Sequence, residues 1–201
     1  IGANRANGIH VQDSQYVAIR GNRIGDYGKM LAPDDQTALA GNYSNGVFIN
    51  TSSYVLVGYR PDAVGARTPG QDGNTISGNR GSGVVISGTG DGASEANEIA
   101  ANRIGADLEG VKAVANYNSG ILISGSSGNL IDDNVISGNR LYGVVVSGSR
   151  NTEGGPASLA EQNRIVRNSI GVGAGGATLA NSADGVFILN AAAHWIGGGR
   201  G

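Results

Sequence analysis

Residues 129–146 read Asn-Leu-Ile-Asp-Asp-Asn-Val-Ile-Ser-Gly-Asn-Arg-Leu-Tyr-Gly-Val-Val-Val. They contain three short apolar segments, residues 130–131, 135–136 and 144–146, and Asn or Gly occupies each interval. Each segment is too short for a helix and has the length and the Ile and Val content of a short β-strand. The pattern therefore predicts three short strands that are separated by tight corners.

The same pattern recurs along the chain. Residues 74–86 repeat its second half, and residues 96–105 and 162–171 repeat its first half. Stacked repeats would place each strand beside its equivalent, about 4.8 Å away, with Ile and Val side chains pointing inward. We therefore predict an all-β fold, a single-stranded parallel β-helix of about five to six coils. The rule for parallel crossovers makes it right-handed.

Corners of such a coil need residues that tolerate a left-handed backbone, and we expect Asn and Gly to supply them. The shortest interval between equivalent residues, from Gly120 to Gly143, is 23 residues and predicts one coil without an insertion. Three insertions follow the third strand of a coil, at residues 25–45, 105–119 and 171–184. They should decorate one corner, either as a binding face or as a shield for that corner.

The two ends of the sequence also fall within the repeat. Residues 1–11 align without a gap onto residues 76–86, so the chain opens in the middle of a coil. We expect residues 1–201 to be one β-helix segment of a longer chain, because solenoids need capping units. Open strand edges at the coil ends also suggest end-to-end self-association.

Composition excludes several classes of function. The chain has no Cys, which removes disulfides and thiolate metal sites. Its net charge of −2 argues against nucleic acid or an anionic membrane as the main partner. No apolar run approaches the roughly 20 residues of a membrane span, so no membrane insertion is expected.

The motifs Asn-x-Ile-Ser-Gly-Asn, Asn-Arg-Ile-Gly-x-Asp-x-x-Gly and Asn-x-Gly-Val-x-Ile resemble the right-handed parallel β-helix repeats of large secreted or surface-attached bacterial proteins. Residues 104–116 match the insertion typical of that family well, and residues 24–26 and 170–171 match it loosely. The resemblance implies an extracellular or cell-surface location. It is specific for the fold and weak for function, since the same coil serves polysaccharide lyases, hydrolases and epimerases as well as passive adhesin stalks.

The best candidates for catalysis are Asp132, Asp133 and Arg167. Polysaccharide-cleaving β-helices need clustered carboxylates, and Asp133 should lie beside Arg167, its equivalent one coil along. The favoured interpretation of the two aspartates is a solvated corner. No cofactor is predicted, and no motif supports Ca²⁺. His10 should point outward, and His194 occupies the corner position of Asn129.

The best candidates for ligand binding are arginines and tyrosines at recurring positions. Arg80 and Arg140 share one repeat position, as do Arg23 and Arg103. Tyr43 and Tyr117 each precede a first strand on the decorated corner. Arginine suits carboxylates, so the rows could bind an acidic glycan, or could simply be surface ladders set by the repeat.

The regularity of the chain favours a structural and adhesive function. We expect a stiff, non-catalytic segment of a secreted or surface bacterial protein whose side binds polysaccharide or other surface chains. The alternative is a carbohydrate-active enzyme, a lyase or hydrolase that acts on acidic polysaccharide. A self-assembling, fibre-forming module is the third possibility.

Overall fold

A computed structural model describes residues 1–25, 41–59, 73–88, 94–148 and 160–198. Over these residues the chain winds through seventeen short strands that form three parallel sheets. Each sheet takes at most one strand from a coil, and each strand pairs with its equivalents in the neighbouring coils. The predicted parallel β-helix of five to six coils is therefore confirmed.

Sheet 1 has six strands and contains the first strand of each coil. These are β1 (Ile9–Gln12), β4 (Val47–Asn50), β7 (Val84–Ser87), β10 (Ile121–Ser124), β13 (Val144–Ser147) and β16 (Val186–Leu189).

Sheet 2 also has six strands and contains the second strand of each coil. These are β2 (Ala18–Ile19), β5 (Leu56–Gly58), β8 (Glu98–Ala100), β11 (Leu130–Asp132), β14 (Arg164–Val166) and β17 (Trp195–Ile196).

Sheet 3 has five strands, β3 (Arg23–Gly25), β6 (Thr75–Ser77), β9 (Arg103–Ile104), β12 (Val135–Ile136) and β15 (Ser169–Ile170). A 3₁₀ turn, Ala174–Gly176, follows β15. The uninterrupted coil is confirmed, because Ile121 pairs with Val144 across β10 and β13.

The core is a set of vertical columns of β-branched side chains. In sheet 3 one column consists of isoleucine in every coil, with Ile76, Ile104 and Ile136 fully buried at its centre. Sheet 1 contributes two inward columns, because the first and third residues of its strands face the interior. Short Ile and Val strands form this fold because each apolar side chain packs on its own equivalent one coil away.

Asparagine has a different role from the one predicted. Outside the glycines, the left-handed corner positions are held mostly by Ala, Asp, Tyr, Thr, Arg and Gln; Asp133 and Arg167, for example, both have φ of 55°. Asparagine instead follows such a residue and turns its amide inward. There, Nδ2 of Asn102 donates to Oδ1 of Asn134 at 2.9 Å, and Nδ2 of Asn134 donates to Oδ1 of Asn168 at 2.9 Å. The asparagine side chains therefore provide hydrogen bonds to buried groups, and they do not serve mainly to allow a left-handed backbone.

Three such asparagine ladders run along the rod, one at each corner. The ladder between sheets 2 and 3 joins Asn22, Asn74, Asn102, Asn134 and Asn168. The ladder between sheets 3 and 1 joins Asn4, Asn42, Asn79, Asn116, Asn139 and Asn181. The ladder between sheets 1 and 2 joins Asn97, Asn129 and Asn163.

Glycine before most strands of sheet 1 is needed for space. A Cβ atom on Gly120 would lie 2.5 Å from Cγ2 of Ile136 and 2.8 Å from the carbonyl oxygen of Gly143. The recurring Gly at this position therefore allows the corner to pack against the isoleucine column.

Candidate functional site: an arginine–tyrosine column

The site is a vertical row of alternating arginine and tyrosine on the corner between sheets 3 and 1. Each member is the residue that follows an asparagine of that corner's ladder, which places the members in successive coils. In order along the rod they are Arg5, Tyr43, Arg80, Tyr117 and Arg140. We call this row the arginine–tyrosine column.

Backbone hydrogen bonds fix the height of each member. The amide of Tyr43 donates to the carbonyl oxygen of Asn4 at 2.9 Å, and the amide of Arg80 donates to that of Asn42 at 2.9 Å. The amides of Tyr117 and Arg140 make the equivalent bonds one and two coils further on, at 2.9 and 3.0 Å. Successive members are therefore separated by one strand spacing, about 4.8 Å.

The side chains of the column stack in pairs. The guanidinium carbon of Arg80 lies 3.7 Å from the ring centroid of Tyr43, and that of Arg140 lies 3.8 Å from the ring centroid of Tyr117. Both distances are well within the range of a cation–π contact, which contributes roughly 0.5–1 kcal/mol at an exposed site. Each ring therefore holds its arginine in place on the surface.

The stacked pairs remain open to solvent and keep their hydrogen-bonding capacity. Tyr43 is 53% exposed and Tyr117 is 42% exposed. Across the part of the chain that the structure describes, neither Arg80 nor Arg140 pairs with a carboxylate, and neither guanidinium donates a hydrogen bond. Within these described residues, the column thus presents two ordered cations whose N–H groups are not engaged.

Two insertions lie on the same corner as the column, and one of them leads directly to Tyr117. Residues 105–116 and 171–181 each form a loop closed by one antiparallel bridge, Ala106 with Ala113 and Val172 with Thr178. The two loops also touch, since the amide of Ala174 donates to the carbonyl oxygen of Gly110 at 2.7 Å. The predicted decoration of one corner is confirmed for these two insertions. The insertion predicted at residues 25–45 lies largely outside the described residues.

The other two predicted binding arginines do not join the column. Arg23 and Arg103 share one row of sheet 3, as the sequence indicated, but Thr75 lies between them. Nη1 of Arg103 donates to the carbonyl oxygen of Leu108, and Nε of Arg103 is buried without a hydrogen-bond partner. Arg103 therefore anchors the adjacent insertion.

The predicted catalytic residues meet, but in a different arrangement. Asp132 is fully buried, and its carboxylate accepts hydrogen bonds from Nε of Arg167 at 2.8 Å and from Nη2 of the same guanidinium. The interpretation of Asp132 as part of a solvated corner is wrong, because its row on the outer side of sheet 2, with Ala100 and Val166, is covered. Asp133 is partly exposed and occupies the left-handed position equivalent to Arg167, as the repeat indicated.

The two histidines lie where the repeat placed them. His10 is exposed and stacks on Phe48 with ring centroids 4.9 Å apart. His194 continues an asparagine ladder, since its Nδ1 accepts a hydrogen bond from the amide of Asn163 at 3.3 Å. Burial lowers the pKa of His194.

Sequence reasoning did not include Arg5 among the binding candidates. The signal was available, because the pair Asn4-Arg5 aligns with Asn79-Arg80. The described residues contain no group of three or more His, Asp or Glu side chains that could hold a metal ion. Nor do they contain a helix long and apolar enough to cross a membrane.

The chain belongs to the family of right-handed β-helix regions, whose model matches residues 3–196. A comparison with curated proteins finds no matching sequence. Among solved structures, the chain is similar to the A-module of the mannuronan C-5 epimerase AlgE4 from Azotobacter vinelandii. The identity is 15% and the TM-score 0.46, and the match covers 100% of this chain and 56% of that one. The chain thus spans little more than half the length of that structure.

Proposed function

We propose that this chain is a stiff, non-catalytic β-helix segment of a bacterial surface or secreted protein that binds an acidic polysaccharide along its side. The observation that carries the proposal is the arginine–tyrosine column, with Arg80 stacked on Tyr43 and Arg140 stacked on Tyr117. The column lies on a rod whose rungs are fixed by three amide ladders and a continuous Ile and Val core.

The chemistry of the column favours a carboxylated sugar chain. A guanidinium offers a planar fork of donors that matches a carboxylate, and stacking on tyrosine reduces the conformational entropy it loses when it binds. The exposed tyrosine rings provide flat apolar faces for the C–H groups of a sugar.

The spacing of the column favours a linear ligand. Arg80 and Arg140 are two coils apart, which corresponds to roughly twice the 4.8 Å strand spacing. A linear polyuronate that runs along the rod could present carboxylates to both arginines at once. Binding two linked carboxylates raises the affinity through effective concentration, without any new type of contact.

The position of Asp132 supports a non-catalytic function. Asp132 is the most enclosed of the predicted catalytic residues, and both of its carboxylate oxygens are engaged by Arg167. A carboxylate that acts as general acid or base must come within hydrogen-bonding distance of the substrate. Buried and paired as it is, this carboxylate stabilises the packing of two coils instead.

The proposal is tested by binding of the purified chain to immobilised polyuronates, such as pectate and alginate, and to uncharged polysaccharides. We expect polyuronate binding that weakens as salt rises, because salt screens exposed charges. The double variant Arg80→Gln and Arg140→Gln should bind polyuronate at least about tenfold more weakly, a loss of roughly 1.4 kcal/mol.

The matched control is the double variant Arg20→Gln and Arg164→Gln, which removes the same two charges from exposed arginines outside the column. Its polyuronate affinity should equal that of the parent chain. Equal weakening by the control, or no binding to any polyuronate, would overturn the proposal.

A reducing-end assay on the same polymers distinguishes the enzyme alternative. A lyase or hydrolase would release new chain ends, whereas the proposed function predicts none. New ends that disappear in the variant Asp132→Asn would replace the binding proposal with a catalytic one.

A further inference from the structure

Two other tyrosines form an exposed stack at a different corner, the one between sheets 1 and 2. The rings of Tyr16 and Tyr54 lie 5.1 Å apart between centroids and only 9° from parallel. Tyr16 is 77% exposed and Tyr54 is 52% exposed. Neither ring is needed to fill the core, so their stacking on the surface requires another explanation.

Both tyrosines also hold an unfavourable backbone conformation. Each has φ of 58°, in the left-handed region that bulky side chains seldom adopt. Later coils place smaller or more flexible residues at the same position, with Ala96 at φ 52° and Gln162 at φ 53°. Strain at an exposed bulky residue is typical of functional sites.

Beyond Tyr54 the next two coils have small residues in place of the rings. The amide of Tyr54 donates to the carbonyl oxygen of Glu95, which places Ala96 one coil beyond Tyr54. The bridge between Glu95 and Ser127 then places Gly128 in the coil after that. Among the described residues, a Cβ atom on Gly128 would meet only the backbone nitrogen of Ala96, at 3.9 Å. The row therefore changes from two rings to two small residues, and no other described residue fills the space beside the second.

We propose that the surface formed by Tyr54, Ala96 and Gly128, which we call the tyrosine shelf, binds a pyranose unit of an uncharged glycan. The apolar C–H face of a pyranose packs on an aromatic ring, and the space over Ala96 and Gly128 leaves room for it beside Tyr54. Exposed Glu95 lies in the same coil as Ala96, and its carboxylate can accept hydrogen bonds from sugar hydroxyls.

The charge of the shelf sets its ligand class apart from that of the arginine–tyrosine column. Glu95 forms no ion pair in the described parts of the chain. Its negative charge disfavours a uronate by like-charge repulsion and leaves uncharged hexoses as the fitting class. The shelf and the column thus bind different sugars on different corners of one rod.

The experiment is a titration of the whole chain with hexasaccharides of glucose, mannose and galactose and with a hexauronate, followed by NMR saturation transfer and calorimetry. We expect at least one uncharged hexasaccharide to bind. The variant Tyr54→Asn should weaken that binding about tenfold, which corresponds to roughly 1.4 kcal/mol. Asparagine suits the left-handed backbone, so this variant should keep the fold.

Two further variants make the result specific. Tyr54→Phe should bind the uncharged hexasaccharide within about twofold of the parent, because the ring face is kept. Tyr117→Ala, in the column, should leave this binding unchanged. The proposal is overturned if no uncharged hexasaccharide binds, if Tyr54→Asn binds as the parent does, or if Tyr117→Ala weakens binding equally.

Discussion

Replacing Asn102 with alanine tests how much the asparagine ladders contribute to the stability of the rod. Asn102 is fully buried, and its Oδ1 accepts from both the backbone amide and Nδ2 of Asn74, at 3.0 Å each. Its Nδ2 donates to the carbonyl oxygens of Val57 and Ala100 and to Oδ1 of Asn134, at 2.9 to 3.0 Å. The substitution removes all of these side-chain contacts.

The expected cost follows from the donors that lose their acceptor. Two buried N–H groups of Asn74 would have no partner, and each unsatisfied buried group costs about 1–3 kcal/mol. We therefore expect Asn102→Ala to lower the free energy of unfolding by about 4 kcal/mol. For a chain of this size that corresponds to a fall in melting temperature of about 10 °C.

The measurement is urea denaturation followed by far-UV circular dichroism, with thermal unfolding as a second probe. The matched control is Asn22→Ala, because Asn22 is only half-buried and donates to Asn74 and to the carbonyl oxygen of Arg20 without accepting from a ladder partner. The control should cost about 1 kcal/mol. Equal costs for the two variants, or a cost below about 1 kcal/mol for Asn102→Ala, would refute the proposed role of the ladder.

Three further predictions concern the core, the ion pair and the response to pH. Ile131→Ala removes a fully buried side chain and should cost about 3 kcal/mol in urea denaturation, whereas a cost under about 1 kcal/mol would contradict the column packing. Arg167→Ala leaves the buried Asp132 carboxylate without its bidentate partner and should lower the free energy of unfolding by about 2 kcal/mol. The cost is smaller than for a fully enclosed pair because Arg167 is 34% exposed. An unchanged urea midpoint would contradict a stabilising role for the ion pair. Burial lowers the pKa of His194 in the folded chain. As the pH falls, the unfolded chain therefore protonates His194 before the folded chain does. The stability that His194 contributes is present above pH 6.5 and is lost as the pH falls from there to its folded pKa. His194→Asn should remove that pH dependence in urea titrations, and an unaltered pH profile would contradict it.

Much of the fold was predictable because each coil repeats the same packing of inward-facing side chains. An Ile or Val that faces inward in one coil packs on an Ile or Val in the next, so the sequence period gives the strand register directly. The pairing of Ile131 with Ile99 and Ile165 follows from aligning the repeats. The row of Tyr43, Arg80, Tyr117 and Arg140 in successive coils follows in the same way.

What local patterns could not predict depends on contacts between coils and on what covers the outer faces. Strand alternation places Asp132 outward, and nothing in its own repeat reveals that this outer row of sheet 2 is covered. Asparagine at a corner fits both a left-handed backbone and an inward amide. Only the stacking of Asn102 between Asn74 and Asn134 decides between the two.

The cation–π pairing of the arginine–tyrosine column was also beyond the sequence. Periodicity predicts that Tyr43 and Arg80 lie in neighbouring coils at the same corner. It does not determine whether the guanidinium turns toward the ring or toward solvent. The 3.7 Å contact shows that it turns toward the ring, and this contact converts a row of surface charges into an ordered candidate binding site.

The most direct test of the central claim is a titration of the isotopically labelled chain with a hexauronate, in which the Nε–Hε resonances of the arginines are followed by NMR. If the arginine–tyrosine column binds acidic glycan, the resonances of Arg80 and Arg140 shift together and saturate at the same ligand concentration, while that of Arg20 stays in place. Unchanged resonances for Arg80 and Arg140, or equal shifts at Arg20, would contradict the account.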